Sequence, residues 1–188
     1  PFQEKHPDVT FSVLSATSLQ ILSLLENLEI DAGLTYLENE PLGRVTSVPL
    51  VQEQYCLITA RGGPFSDRKA VTWQEAGSVR LCLLTADMQN RRIINRHFAE
   101  AGVTVQPSLE SNSMIVLFSY VRTGRWCSVM PRNVAKSFGF HEEICIVSLT
   151  DPEPCHTIGL VATYREPFTP LVSALLHEAR ILAETGGN

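Results

Sequence analysis

The sequence predicts an α/β protein of two lobes, on three observations. Two separate stretches, over residues 9–60 and 72–137, alternate strand-like and helix-like patterns. Two clusters of chain breakers, Arg61-Gly62-Gly63-Pro64 and Asp151-Pro152-Glu153-Pro154, bracket the second stretch. Beyond the second cluster, His156–Tyr164 reads as a strand long enough to return to the first lobe. Residues 1–61 with 155–188 are therefore assigned to one lobe, and residues 62–154 to the other.

The opening Pro1-Phe2-Gln3-Glu4-Lys5-His6-Pro7 reads as the tail of a helix already under way. Val9 to Ser15 alternates with β-branched residues and predicts a strand. Thr17-Ser18 offers an N-cap, and Leu19, Leu22, Leu25 and Leu28, with Ile21 and Leu24, form a helical stripe. Ile30–Tyr36 predicts a second strand, parallel to the first in a βαβ unit. Val45–Val48 and Gln54–Ala60 follow as two strands.

In the second lobe Thr72-Trp73-Gln74-Glu75 is a capped short helix by pattern. Arg80–Leu84 predicts a strand, and Thr85-Ala86-Asp87 leads into a helix with Ile93, Ile94, His97, Phe98 and Ala101 inward, stopped by Gly102. Val105–Glu110 predicts the next strand. Ser111-Asn112-Ser113 caps an apolar helix from Met114 to Val121, which stops at Gly124. Trp126–Met130 predicts a strand ended by Pro131, a short helix starts at Arg132, and Ile144–Leu149 predicts a strand. The last helix opens on Thr169-Pro170, with Leu171, Val172, Leu175, Leu176, Ala179 and Leu182 as its stripe.

Composition narrows the function classes. Hydrophobic residues at 44% and charged residues at 19% suit a globular chain. A formal net charge of −5 argues against a nucleic-acid surface, which needs clustered Lys and Arg. No apolar run is long enough for a membrane span, and no signal peptide opens the chain. The five cysteines include no C-x-x-C spacing. Cys56, Cys82, Cys127 and Cys145 lie in apolar runs as small hydrophobes, and Cys155 falls in a loop. This usage suits a reducing cytoplasm.

Chemistry has few places to reside. Gly62-Gly63-Pro64 is not a phosphate loop. His6, His97, His141, His156 and His177 show no metal-ligand spacing. His97 reads as a hydrogen-bonded core residue, and Asp151 and Glu153 as solvated acids. What remains is three polar helix starts: Thr17-Ser18, Thr85 through Asn90, and Ser111-Asn112-Ser113. Free N–H groups at helix starts suit an anion, although each set also reads simply as a cap. Arg91 and Arg92 are expected to point mostly toward solvent, leaving the helix starts rather than a buried cation to hold the ligand.

Several segments together resemble the sensing domain of LysR-type transcriptional regulators. These are His6-Pro7-Asp8-Val9, Ile30-Asp31-Ala32-Gly33, Pro49-Leu50 through Gln54-Tyr55-Cys56-Leu57-Ile58, Arg92-Ile93-Ile94 through Phe98 and Ala101-Gly102, and Val121-Arg122-Thr123-Gly124 through Val129-Met130-Pro131. The resemblance implies a type 2 periplasmic-binding-protein-like clamshell: two Rossmann-like lobes joined by two crossovers, with an effector between them. It implies no cofactor, no metal and no catalytic residue. By matching position it implies effector contacts at Thr17, Ser18, Tyr36, Thr85, Gln89 and Asn90, with Asn112, Ser113 and Pro131 completing the set. It further implies a small-molecule effector, most simply a carboxylate, homodimers of sensing domains, and tetramers of the full-length protein on promoter DNA. The Asp87-Met88-Gln89-Asn90-Arg91-Arg92 run is similar to regulators found beside formate dehydrogenase genes.

The sequence departs from the family pattern in two ways. Asn27-Leu28-Glu29 stands where a glycine is usual, with Asn27 expected to supply the left-handed stop. The family's winged helix-turn-helix, linker helix and first sensing-lobe strand are not in this sequence, so DNA contact is expected only through that N-terminal domain. Two other classes share the fold. A periplasmic solute-binding protein should carry a secretion signal and fewer free cysteines. A clamshell enzyme needs a nucleophile or metal that the residues do not assemble.

Overall fold

The computed structural model describes residues 2–38, 40–139 and 142–185. The chain forms two compact units, residues 1–52 with 156–188 and residues 53–155. The first crossing falls inside a strand, well before the Arg61–Pro64 breaker. The glycines and proline there mark the turn at the end of that strand, where Gly62 has φ +75°.

The first unit begins with α1 (Phe2–Lys5) and α2 (Ser18–Glu26). Thr17 caps α2 in a reciprocal capping box: its Oγ1 accepts from Gln20 N–H at 3.3 Å, and Gln20 Oε1 accepts from Thr17 N–H at 2.9 Å. The helix ends in a Schellman pattern, Glu29 N–H donating to Leu24 O at 2.8 Å and Leu28 N–H to Leu25 O at 3.1 Å. The left-handed residue is Leu28, at φ +59°, and not the expected Asn27, which stays right-handed at φ −79°. The bond pattern decides this, because it places the reversal one residue after the C-cap.

The expected strand Val9–Ser15 is absent. A strand requires a ladder partner, and this segment has none among the described residues; its Val9 N–H returns to His6 O. The βαβ unit and its parallel pairing therefore fall with it. β1 (Gly33–Tyr36), shorter than expected, instead runs antiparallel to β8 (Cys155–Thr163), with Gly33 opposite Val161 and Tyr36 opposite Ile158. The α2 stripe is also less buried than its periodicity implies, since only Leu25 is fully covered and Leu19 and Leu28 are exposed.

The two strands expected at Val45–Val48 and Gln54–Ala60 are one, β2 (Val45–Ala60). Pro49 lies within it because proline interrupts a strand only where the ladder needs its N–H. The first half of β2 borders β8. Against these strands packs α7 (Pro170–Thr185), giving a core of Val48, Leu160, Ala162, Val172, Leu176 and Ala179. Thr169 Oγ1 accepts from Val172 N–H at 3.3 Å, as its position before Pro170 predicts.

In the second unit the other half of β2 pairs antiparallel with β6 (Ser128–Pro131) and β7 (Ile144–Thr150). β3 (Ala70–Thr72) lies parallel to β7, and β4 (Cys82–Leu84) lies parallel to β5 (Leu109–Ser111). The helices are α3 (Trp73–Ala76), α4 (Gln89–Glu100), α5 (Met114–Arg122) and α6 (Arg132–Ser137). Val105–Glu110 contracts to β5 at its far end, since Pro107 offers no donor. β4 and β6 likewise begin two residues later than expected, with Leu81 and Cys127 joined only by a single bridge. Gly102 and Gly124, at φ +73° and +76°, end α4 and α5 as expected.

Cys56, Ile58, Cys82, Leu84, Leu117 and Val121 form the core on the α5 side. Ile93, Ile94, Phe98 and Trp73 are buried with α3 and α4. His97 is buried there as well, its ring stacked on Trp73 at 4.9 Å and its Nδ1 at 3.2 Å from Glu100.

Thr72 caps α3 in a second capping box, with Glu75 Oε2 accepting from Thr72 N–H at 2.8 Å. That backbone bond, followed by Arg68, holds the Glu75 carboxyl below its ordinary pKa. A lowered folded-state pKa favours the folded protein above the unfolded value, and the benefit is lost as pH falls through the folded value. Thr72→Ala is expected to cost about 1 kcal/mol at neutral pH. The pH-dependent part belongs to the carboxylate, because the Thr72→Ala variant keeps the backbone N–H from which Glu75 accepts. Glu75→Gln should be less stable than wild type at pH 7, and its deficit should shrink as Glu75 becomes protonated, which urea titrations at pH 7 and below pH 4 compare.

Candidate functional site

The first unit brings Thr17, Ser18 and Tyr36 to one end of β1. Thr17 is committed to its capping box. Ser18 Oγ accepts from the buried Thr35 hydroxyl at 2.9 Å, which leaves the Ser18 proton available to donate. Tyr36 is buried at the end of β1, edge-to-face with His156 at 6.4 Å. His156 Nδ1 lies 3.6 Å from Glu38, whose other oxygen accepts from the Thr157 hydroxyl at 2.6 Å. Sequence reasoning missed Thr35 and His156. Both follow from the β1–β8 pairing, which no local pattern announces.

The second unit brings two of the polar helix starts together. Thr85 N–H donates to Ser111 O at 3.1 Å, tying the residue after β4 to the last residue of β5. Thr85 Oγ1 is shielded from solvent and has no partner among the described residues. Gln89 and Asn90, at the start of α4, are buried. The N-cap of α4 is Met88, which contributes no side-chain bond. The N-cap of α5 is Ser113, and its side chain likewise makes no cap bond. Instead Ser111 Oγ accepts from Ser113 N–H at 3.1 Å. The Ser113 hydroxyl is thus not needed by its own helix. Asn112 is exposed, and Pro131 is buried on β6 opposite Tyr55.

Arg91 corrects the expectation that both arginines face solvent. It is only 5% exposed: Nη1 donates to Leu84 O and to Glu110 Oε1, each at 2.5 Å, and Nε donates to Asn95 at 2.8 Å. Its residue number places it on the inward side of α4, three before Ile94 and seven before Phe98. The guanidinium fastens the end of β4 to β5, so its Nη1 and Nε donors are occupied by protein. Arg92 is half-buried and donates to Asp87 O at 2.5 Å, closing the loop before α4.

The cysteines are free. Burial pushes the Cys56 and Cys82 thiols up to about 12 and also raises Cys127, which keeps all three protonated at neutral pH. Cys155 opens β8 and is exposed, rather than lying in a loop. Glu153 is exposed and accepts from Gln54 at 3.1 Å. Among the described residues no group of three or more His, Cys, Asp or Glu side chains could hold a metal ion, and His141 lies outside the described residues. Each unit by itself therefore offers hydroxyls or amides beside a helix start, groups able to hydrogen-bond a small polar molecule.

The model of the LysR substrate binding domain matches residues 1–182. The chain belongs to the LysR substrate-binding domain family. Its curated relatives are transcriptional regulators. A probable nitrogen assimilation transcriptional activator of Synechococcus elongatus is 23% identical over 164 residues, covering 85% of this chain and 52% of its own. The regulator CysB of Burkholderia cenocepacia is 22% identical over 129 residues, covering 69% of this chain and 41% of its own. The chain thus spans about half the length, or less, of the curated relatives it matches. Among solved structures, the effector binding domain of QuiR in complex with shikimate has a TM-score of 0.84 at 20% identity, covering 100% of this chain and 88% of that one. The Synechocystis CcmR regulatory domain in complex with 2-PG has a TM-score of 0.88 at 16% identity, covering 100% and 89%. The fold is that of LysR effector-binding domains, a type 2 periplasmic-binding-protein-like α/β fold of two lobes. Among the described residues no helix is long and apolar enough to cross a membrane.

Proposed function

We propose that this chain senses a small anionic metabolite for a LysR-type transcriptional regulator, acting by binding and not by catalysis. Ser18 and Tyr36 of the first unit, and Thr85, Gln89, Asn90, Asn112 and Ser113 of the second, contact the effector. Thr17 and Pro131 position their neighbours. The carrying observation is the Thr85 hydroxyl, buried and without a partner where two helix starts meet. A buried polar atom left unpaired is costly, and a ligand group at that point satisfies it. The solved relatives holding shikimate and 2-PG support a small ligand.

The whole protein, on this reading, works in the cytoplasm and reaches DNA through a separate domain. The sensing domains pair as homodimers, and the full-length protein forms tetramers. Exposed Ile115 and Tyr120 on α5, and exposed Phe11, Val13 and Leu14 in the first unit, support self-association. The similarity of Asp87–Arg92 to regulators beside formate dehydrogenase genes makes small carboxylates the first effectors to try.

Ser113→Ala tests the proposal in the full-length regulator, with Ser18→Ala beside it. Charge-assisted hydrogen bonds contribute about 1.5–3 kcal/mol each. Each variant is expected to weaken effector binding roughly ten- to a hundredfold. The melting temperature of Ser113→Ala should equal wild type, because that hydroxyl makes no cap bond. Wild-type affinity in both variants, measured by calorimetry, refutes the helix-start mechanism.

A further inference from the structure

We infer that the first unit holds a second small-molecule site, and that it takes a small zwitterion of the α-amino acid class. The site is a pocket of about 140 Å³ whose lining includes the apolar Ile30, Phe168 and Val172 and the polar Asp31, Thr163 and Arg165. It lies at the opposite end of the β1–β8 pair from Ser18 and Tyr36. Residues 30–31 precede β1 at Gly33, and Thr163 ends β8, whose Val161 stands opposite Gly33. The pocket is open to solvent on one side, and its volume has room for a molecule of a few heavy atoms.

Charge selects the class. Asp31 and Arg165 are both exposed, line the same pocket, and have no ion-pair or hydrogen-bond partner among the described residues. A simple anion placed there meets Arg165 but is repelled by Asp31, and a simple cation meets the reverse. A neutral molecule leaves both charges to water. A molecule carrying an ammonium and a carboxylate complements both, while a short aliphatic side chain meets the apolar lining residues. Thr163 is not free to select, because its hydroxyl donates to Leu25 O at 2.7 Å. Both charges are solvent-screened, so binding is expected to be weak and salt-sensitive.

L-Valine is the probe, titrated into the ¹⁵N-labelled chain and followed by amide shifts. Saturable shifts are expected at residues 28–31 and 163–172, and not at Ser18 or Ser113. Asp31→Asn and Arg165→Gln should each weaken binding by about two- to fivefold, since each removes one charge that the zwitterion meets at an exposed position. Isovalerate, lacking the ammonium, and isobutylamine, lacking the carboxylate, should each bind more weakly than L-valine by at least a similar factor. Both substitutions are at exposed positions, so unchanged spectra elsewhere confirm the fold. Absence of saturation with L-valine overturns the inference, as does equal binding of isovalerate or wild-type affinity in both variants.

Discussion

Trp73→Ala is expected to destabilise the 53–155 unit by about 3–5 kcal/mol. Trp73 is fully buried, opens α3, stacks on His97 at 4.9 Å and meets Phe98 edge-on at 5.1 Å. Its Nε1–H donates to Pro152 O at 3.0 Å, fastening the segment after β7. The large term is the lost volume and its cavity. Each aromatic pair adds about 0.5–1.5 kcal/mol, and the hydrogen bond about 1 kcal/mol. Trp73→Phe separates these, since it retains much of the packing and loses the donor. Domains of this size are stable by only about 5–15 kcal/mol, so the alanine variant should unfold at markedly lower urea. A loss below about 1 kcal/mol means that the packing around Trp73 is not as described.

Arg91→Ala is the second large effect, and it should reach both stability and binding. Removing a buried partner from an ion pair can cost about 3–5 kcal/mol. Here Glu110 keeps 47% of its side chain exposed and can return to water. The Leu84 carbonyl loses its charged donor as well, so the expected cost is about 2–3 kcal/mol. Effector affinity should fall further, because the guanidinium holds the end of β4, next to Thr85, against β5. Glu110→Gln isolates the charge and should cost less than about 1 kcal/mol. Arg91→Lys preserves charge but not the fork, and should resemble alanine more than wild type. An Arg91→Ala protein of unchanged urea midpoint contradicts the latch.

Local signals read well where the cause was local. The capping boxes at Thr17 and Thr72, the glycine stops at 102 and 124, and Pro170 at the first turn of α7 depend on residues a few positions apart. The polar helix starts were legible for the same reason. What the sequence concealed depends on partners distant along the chain. Val9–Ser15 has the alternation of a strand, but alternation does not supply a neighbour. Pro49 suggested a break that the ladder did not require. Residue preference points to Asn27 for the left-handed stop, whereas the closing hydrogen bonds put it on Leu28. The inward position of Arg91 is legible in the helical period. The stripe through Ile94 and Phe98 extends back one turn onto it, and a charge on a buried stripe calls for an acid such as Glu110 nearby. The Thr35–Ser18 and Tyr36–His156 contacts needed the fold itself.

The most direct test of the sensing role is an amide-shift titration of the ¹⁵N-labelled chain with small carboxylates and phosphorylated acids, shikimate among them. For the acid that binds, saturable shifts should concentrate at Ser18, Tyr36, Thr85, Asn90 and Ser113, and the acid should be recovered chemically unchanged. Saturable binding that leaves those five amides unmoved, or conversion of the bound acid, contradicts the account.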